Sequence, residues 1–347
     1  MKDVIEILNK GSDLSRDEII KLLNLTDDQD IEYLFNAADR VRMENCGNEV
    51  HLRGVIEFSN NCKENCLYCG LREDNITLQR YRMTPDEIIE TARQISNLGI
   101  RTIVLQSGED GFYDTDLIAY LIYSIKQNSD IAIALSIGER GFDEYKAWKI
   151  AGAERYLLKH ETANPVHYSI YHRNDFIKNR IKHLKFLRSI GYQIGSGNIV
   201  GLPLQKVEDI ADDILLMKEL DIDMAAIGPF VPAAFTPYQN LKTGSVTLTL
   251  KTIAVTRILL KNVHIPATTA LDTVDVNGRE RGLRAGANVI MPNFTPHPYR
   301  ENYAVYANKR GIHEDPYESH LKLAARIEAI GRGISTNKGD SLKLANQ

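Results

Sequence analysis

Four cysteines are the residues of this chain whose type and spacing most clearly indicate chemistry. Cys62, Cys66 and Cys69 lie within eight residues, Cys46 lies upstream, and no cysteine follows Cys69. Thiols grouped this closely predict a metal or iron–sulfur site, because thiolates are the usual ligands of zinc and of iron–sulfur clusters. Disulfides are not expected, since the amino terminus carries no export signal.

A loop that supplies three thiols has a specific consequence. A four-iron cluster normally takes four thiolates, so three leave one iron open to another molecule. The alternative is a structural zinc site with Cys46 as its fourth ligand. Structural zinc is usually held by two separated cysteine pairs, and a predicted strand separates Cys46 from the other three. We therefore expect Cys46 to be a buried thiol at the end of a helix.

The elements that must position this loop follow from the apolar pattern. Short apolar runs alternate with longer amphipathic segments. Strands are predicted at residues 55–58, 102–105, 131–135, 155–158, 193–199, 224–227, 265–270 and 289–291, with helices at 84–98, 116–127, 142–151, 175–190, 207–220, 248–260 and 280–284. Eight strand-to-helix units predict an α/β fold of the (βα)8 TIM barrel type, in which the loops after the strands carry the chemistry. A doubly wound open sheet is the alternative.

The segments flanking the barrel are predicted to be helical. Residues 1–48 form an N-terminal extension with two helices, the first opened by the capping box of Ser15 and Glu18. The barrel spans 49–300, and residues 301–347 form a C-terminal helical extension. Because no linker rich in Pro, Gly or Ser divides the series, we expect one structural domain overall.

The composition excludes several classes of function. The 347 residues include 42 basic and 46 acidic side chains, a net charge of −4, which argues against nucleic acid or a membrane as partner. No segment approaches the roughly 20 apolar residues of a membrane span. We expect a cytoplasmic enzyme that acts on a small molecule.

The cysteine loop resembles that of the radical S-adenosylmethionine (SAM) enzymes. CxxxCxxC follows the first barrel strand, and the aromatic Tyr68 directly precedes the third cysteine. The resemblance implies a [4Fe-4S] cluster on Cys62, Cys66 and Cys69, with SAM chelating the fourth iron. It further implies that an electron from a donor such as ferredoxin or flavodoxin cleaves SAM to methionine and a 5′-deoxyadenosyl radical.

The same resemblance implies a set of SAM contacts at the ends of successive strands. A GGE-like segment contacts the amino group, Ser136 the ribose, Glu161 and Arg180 the amino acid part, and a GxIxG segment the adenine. The implied cofactor-binding residues are Tyr68, Gln106, Ser107, Gly108, Glu109, Ser136, Glu161, Arg180, Gly197, Ile199 and Gly201. Without the resemblance, Arg180 could be an ordinary surface arginine.

Within this superfamily the chain resembles the HydE branch, the maturases of [FeFe]-hydrogenase. The stretches that carry the resemblance include IEFSNNCKENCLYCGLR, RYRMTPDEII, KHETANP, IPATTA and GANVIMPNFTP. Methylornithine synthase, a lysine mutase, and biotin synthase share the barrel and are the alternatives, together with a HydE paralogue that has another substrate. Some HydE proteins carry a second cluster on C-terminal cysteines, which this sequence lacks. From another class, a zinc-stabilised binding protein stays possible at this point.

The resemblance to HydE also implies a substrate cavity inside the barrel. It would hold a small sulfur-containing carboxylate, namely an iron–cysteine complex supplied by HydG, on the way to a precursor loaded on HydF. The matching positions are Lys159, Met224, Thr268, Thr269, Tyr303 and Tyr306.

Each of these positions also has a local interpretation. Lys159 could pair with Glu161, the threonines could reflect strand propensity, Met224 could fill the core, and the tyrosines could belong to a capping helix. His160 and the other eight histidines show no ligand spacing, so we assign them no metal.

Overall fold

In the computed structural model, residues 2–173 and 175–343 are described, so residue 1 and the last four residues of the predicted C-terminal extension lie outside. The strands are β1 (Glu49–Leu52), β2 (Gly54–Ser59), β3 (Thr102–Ser107), β4 (Ala132–Ser136), β5 (Arg155–Leu157), β6 (Gln193–Ser196), β7 (Ile199–Val200), β8 (Met224–Ala225), β9 (Gly228–Pro229), β10 (Val289–Ile290) and β11 (Gly333–Ile334). The helices are α1 (Lys2–Leu8), α2 (Arg16–Leu23), α3 (Asp28–Cys46), α4 (Pro85–Asn97), α5 (Thr115–Asn128), α6 (Phe142–Ala151), α7 (Pro165–Tyr171), α8 (Ile177–Ser189), α9 (Val207–Glu219), α10 (Val246–Leu259), α11 (Thr269–Val274), α12 (Gly278–Arg284), α13 (His297–Arg300) and α14 (Pro316–Ala329), with a 3₁₀ turn at Gly11–Asp13.

The central sheet is parallel and closes on itself. Six strands pair in the order β2-β3-β4-β5-β6-β8. The seventh and eighth strand positions of the ring are joined by single β-bridges, from Met224 to His264 and from Pro266 to Val289. Asn293 then bridges back to Val55 on β2, whose N–H donates to the carbonyl of Pro292 at 2.8 Å. The predicted barrel is therefore confirmed, and the open sheet is excluded.

Burial explains why the barrel strands were recognisable. All six residues of β2 are buried, as expected for a parallel strand covered by the barrel interior on one face and by helices on the other. The helices present matching apolar stripes; on α4, for example, Ile88, Ala92 and Ile95 are buried. This core fixes the ends of the strands, and therefore the loops that follow them.

Three parts of the predicted pattern were wrong. The strand at 265–270 is limited to bridges near 264–266, and α11 begins at Thr269 because the Thr268 hydroxyl accepts a hydrogen bond from the Leu271 N–H at 3.3 Å. The strand at 193–199 divides into β6 and β7 at Gly197, whose φ is 156°. Helices α1 and α7 and strand β11 were not predicted.

Both flanking segments pack on the barrel. Helix α3 lies against α10 and α2 lies against α9, so α10 is buried along residues 249–259. At the other end of the chain, β11 pairs in parallel with β1. The division at residues 48 and 300 stays a prediction. Within the described residues, no helix is long and apolar enough to cross a membrane.

Candidate active site

The cysteine loop follows β2 and is held by its own polar contacts. The Arg80 guanidinium donates to the carbonyl oxygens of Asn60, Leu71 and Arg72 at 2.6, 2.9 and 2.7 Å. The Asn60 side chain donates to the carbonyls of Gln79 and Asn302, each at 2.8 Å. These bonds satisfy carbonyls that no strand or helix can pair, so the loop has one defined shape.

The thiols of the loop meet a cavity at the carboxyl ends of the strands. Cys62 and Cys66 line a cavity of about 340 Å³, and Cys69 lies close enough for the Cys62 charge to affect it. Burial raises the pKa of all three thiols, that of Cys69 to about 12. Such thiols become ligands when a metal replaces their protons. The Glu109 N–H points at the Cys62 sulfur at 3.4 Å, a contact that suits a thiolate.

A histidine that the sequence analysis missed contacts this loop. His172 places Nδ1 3.5 Å from the Cys66 sulfur and Nε2 3.4 Å from the Tyr68 hydroxyl, while its ring stacks on Tyr168. Burial lowers the pKa of His172 to about 3, so the ring is neutral. His172 follows α7, whose start is predictable from the Asn164 cap and Pro165. The contact with Cys66 is not predictable from the sequence, because 106 residues separate the two side chains.

The opposite wall of the cavity is built from the loops after β3 and β4. Glu109 accepts the Glu139 N–H at 2.8 Å, and Arg180 binds Glu139 at 2.5 Å and the Lys159 carbonyl at 2.8 Å. A Cβ on Gly138, whose φ is 76°, would lie 2.0 Å from the Glu109 side chain. Arg180 is therefore not an ordinary surface arginine, and Gly138 is required for Glu109 to face the thiols.

The loops after β5 and β6 are fixed from behind by α9. Asp213 accepts the Ala163 N–H at 2.5 Å and the Asn198 side-chain amide at 2.8 Å. Buried His160 lies beside it, with 3.7 Å between Nε2 and the carboxylate. Burial raises the pKa of Asp213 to about 8 and lowers that of His160 to about 3. In front of this support, Lys159 and Glu161 form an ion pair at 2.9 Å.

Two predicted cofactor-binding segments meet in a small apolar cluster. Tyr68, next to the third cysteine, and Ile199 of the GxIxG segment pack against the same buried side chains, those of Tyr171, Leu202 and Phe230. The φ values of Gly197 and Gly201 are 156° and 93°, so this backbone follows a course that other residues rarely adopt. The cluster supplies an apolar surface beside the thiols.

Most of the remaining predicted residues lie near the carboxyl ends of the strands, but they do not all line the same cavity. Ser136 pairs with Gln106 at the ends of β4 and β3, and the Gln106 amide donates to the Tyr303 hydroxyl at 3.3 Å. Ser107 and Gly108 also line the thiol cavity, whereas Thr269 lines another cavity beside the C-terminal extension. Tyr303 and Tyr306 lie in a non-helical segment, so they are not part of a capping helix.

Two predicted residues lie away from the thiol cavity. Met224 accepts a hydrogen bond from Arg53 at 2.8 Å and lines a small cavity at the amino ends of the strands. Cys46 ends α3 as predicted, but it is partly exposed and not buried in the core; its sulfur accepts a hydrogen bond from Arg257 at 3.1 Å. His297 and His313, to which the sequence analysis assigned no metal, converge on Glu301 in the structure.

A closed parallel barrel with three thiols after its first strand is the architecture of a radical SAM enzyme, and the Radical SAM superfamily matches residues 56–217. The chain is 47% identical to the [FeFe] hydrogenase maturase subunit HydE of Thermotoga maritima, over 95% of this chain and 94% of the relative. It therefore belongs to the HydE family within that superfamily.

More distant relatives share the barrel. The 3-methylornithine synthase of Methanosarcina acetivorans is 29% identical over 94% of this chain and 92% of the relative. The crystal structure of methylornithine synthase, PylB, superposes with a TM-score of 0.85 at 26% identity, covering 97% of this chain and 98% of that one. Membership of the superfamily implies a [4Fe-4S] cluster and SAM as cofactors.

Proposed function

We propose that the protein is a HydE-type radical SAM enzyme of [FeFe]-hydrogenase maturation. The observation that carries the proposal is the loop of Cys62, Cys66 and Cys69, which opens into a cavity at the carboxyl end of a closed barrel. The identity of 47% to a HydE supports the particular role. The 29% identity to methylornithine synthase leaves a lysine mutase as the alternative to be tested.

The residues present fit a cluster with three protein ligands. Three thiols, a backbone N–H directed at one of them and a cavity of about 340 Å³ match the needs of a cluster and a small-molecule partner. When bound, the cluster supplies an open iron for SAM and the electron that cleaves it. His172, neutral and beside Cys66, positions that sulfur and Tyr68 from the protein side.

The SAM contacts proposed from the sequence face the same space. Glu109 and Arg180 line the cavity together with Ser107 and Gly108. Glu161 would exchange its bond to Lys159 for the ammonium group of the ligand, while Ser136 and Gln106 lie at the ends of adjacent strands. Tyr68 and Ile199 offer the apolar surface for adenine. Of these two residues, Ile199 lies in the chain between Gly197 and Gly201.

The substrate proposed is a small sulfur-containing carboxylate. Lys159 would balance its carboxylate once Glu161 turns to SAM, and Thr268, Thr269, Tyr303 and Tyr306 would line its path. Tyr303 is only 2% exposed and contacts Gln106 at the end of β3, so in this proposal it helps to exclude water. Exclusion of water matters because a carbon radical abstracts hydrogen from most groups it meets. Met224 lies beside Arg53 instead, so its contact with substrate has the least support.

The proposal places the protein in the cytoplasm, where its thiols stay reduced. Ferredoxin or flavodoxin would supply the electron, and HydG- and HydF-like maturases would supply the substrate and accept the product. Nothing in the charge balance calls for nucleic acid or a membrane.

The test is anaerobic reconstitution followed by product analysis. Reduced protein should contain about four irons per chain and release 5′-deoxyadenosine from SAM. Cysteine-derived iron complexes should stimulate this release, and lysine should not. Stimulation by lysine with formation of methylornithine would assign the mutase instead, and colourless protein with one zinc would exclude radical chemistry.

A further inference from the structure

Residues 302–312 form a segment across the mouth of the barrel, which we call the mouth strap. It lies between α13 and α14 and contains no helix or strand. The Asn302 carbonyl accepts the Asn60 side chain at 2.8 Å, and the Val305 carbonyl accepts the Gly70 N–H at 3.0 Å. Through these bonds the strap lies directly on the cysteine loop.

The strap also reaches the interior and the far rim of the mouth. Buried Lys309 pairs with Glu57 on β2, and its ammonium group lies 4.9 Å from the centre of the Tyr303 ring. The Ala307 N–H donates to the Pro232 carbonyl at 3.0 Å. The position of the strap therefore decides whether the space above the barrel is covered.

Three side chains with metal-binding atoms meet where the strap begins and ends. His297 and Glu301 precede it, and His313 follows it. Glu301 Oε1 lies 3.5 Å from His297 Nε2 and 3.2 Å from His313 Nδ1, and the three candidate ligand atoms all lie within 4.8 Å of one another. One carboxylate oxygen thus faces both imidazoles.

The two separations from Glu301, 3.5 and 3.2 Å, are close to those between neighbouring ligands of a first-row divalent metal. Two donors bound tetrahedrally at 2.0–2.1 Å lie about 3.3 Å apart. Two imidazoles and one carboxylate form a ligand set used for zinc and for ferrous iron, with the open positions taken by water. The side chains of His297, Glu301 and His313 are 60, 46 and 80% exposed, so a metal reaches them without opening the fold.

We propose that His297, Glu301 and His313 bind one divalent transition metal ion, which clamps both ends of the mouth strap. The ion ties the end of α13 to the segment just before α14, and so closes residues 302–312 into a short loop over the cysteine loop. Closing a loop removes conformational freedom from the open state, so the clamp stabilises the covered barrel. Neither the cluster ligands nor the SAM contacts take part in this site.

The test measures zinc on protein that has been reconstituted with iron and sulfide and then dialysed against a small excess of zinc chloride. Wild type should retain one more zinc per chain than His313→Ala and Glu301→Gln. His320→Ala removes a histidine of α14 that does not belong to the proposed metal site, so this variant should retain as much zinc as wild type. Metal held by the cysteines is common to all variants and cancels. Equal zinc in every variant would overturn the site.

The clamp is tested separately by hydrogen–deuterium exchange. Zinc should slow exchange of the amides at 302–312 several-fold in wild type and have no effect in His313→Ala. Zinc that binds without slowing the strap would overturn the clamp and leave only a surface site. Ferrous iron under anaerobic conditions replaces zinc in a parallel arm, and protection by iron alone would identify iron as the ion.

Discussion

Charged side chains line cavities at both ends of the barrel, but the two ends use them differently. At the carboxyl end, Glu109, Glu139 and Arg180 line a cavity of about 340 Å³ together with the thiols. At the amino end, Arg53 and Arg155 line a cavity of only about 10 Å³. Both ends of the barrel therefore have charged side chains along a cavity wall. Only the cavity at the carboxyl end is large enough to hold a small molecule.

The amino end is filled by the C-terminal tail of the chain. Arg155 donates to the Lys338 carbonyl at 2.8 Å and to Asp340 at 2.9 Å. The Ser341 hydroxyl donates to Asp223 at 2.5 Å, and His264 lies 3.0 Å from the Asp340 carbonyl. The tail thus supplies partners to groups that would otherwise be buried alone, at a substantial cost in stability.

The difference shows how a structural charge can be told from a functional one. At the amino end, the tail of the same chain supplies partners to Arg155, Asp223 and His264. At the carboxyl end, Cys62 and Cys66, whose thiol pKa values are raised by burial, line an open cavity. Perturbed groups in an open cleft indicate a site, while perturbed groups in a filled one indicate packing.

The largest effect expected separates the cysteines. Cys66→Ala should lose the cluster and all cleavage of SAM, because two thiols do not hold a four-iron cluster. Cys46→Ala should keep both, since Cys46 is bound by Arg257 and does not line the cavity. Iron analysis and 5′-deoxyadenosine release measure the two outcomes. Equal loss in both variants would show that the ligands have been chosen wrongly.

The second effect concerns the amino end. Arg155→Met should lower the free energy of unfolding by about 2 kcal/mol, because it removes the hydrogen bonds of a buried guanidinium to the Lys338 carbonyl and to half-exposed Asp340, while folded protein keeps its iron. Lys338→Met removes only a surface pair with Asp130 and should cost less than about 1 kcal/mol. Urea unfolding measures both. Loss of iron from folded Arg155→Met would mean that the two ends are coupled.

The third effect tests the wall of the cavity. In Gly138→Ala the new Cβ would displace Glu109 and strain a backbone with φ of 76°. We expect SAM cleavage to fall at least about tenfold, equivalent to about 1.4 kcal/mol, with iron content unchanged. Gly111→Ala, at a glycine with no atom within 4 Å of its Cβ position, is the matched control. Normal cleavage in Gly138→Ala would remove Glu109 from the proposed SAM site.

The framework of the fold was predictable from the sequence, because strands buried on both faces leave continuous apolar runs between capped helices. Val104 and Leu105 on β3, and the Thr84 cap of α4, are examples. The cysteine loop was predictable because its ligands are close in sequence. Thr268 shows the limit: β-branched residues suggest a strand, yet the hydroxyl caps a helix.

The parts of the site that were missed depend on contacts between distant segments. His172 meets Cys66 across 106 residues, and His313 meets Glu301 only because the strap returns to α13. The spacing of residues along the chain does not predict such contacts. Similarly, Asp213 gave no signal on α9, although it supports two of the loops that were predicted to bind the cofactor.

The last effect concerns Asp213, which supports the loops after β5 and β6, and the dependence of protein stability on pH. Because burial raises the pKa of Asp213 from 3.8 to about 8, the folded protein holds a proton that the unfolded chain releases above about pH 4. Its contribution to stability therefore falls as pH rises from about 4 to about 8. Asp213→Asn should remove this fall, whose slope is at most about 1.4 kcal/mol per pH unit for a single proton.

Urea unfolding at several pH values between 5 and 8 measures the slope in wild type and in Asp213→Asn. Asp212→Asn is the matched control, because that neighbouring carboxylate is 43% exposed and pairs with Arg16 on the surface. Its slope should equal that of wild type. If the fall in stability with pH persists in Asp213→Asn, Asp213 is already ionised in the folded protein and does not cause the fall. The loops after β5 and β6 would then be held by a buried carboxylate and not by a neutral hydrogen-bonded group.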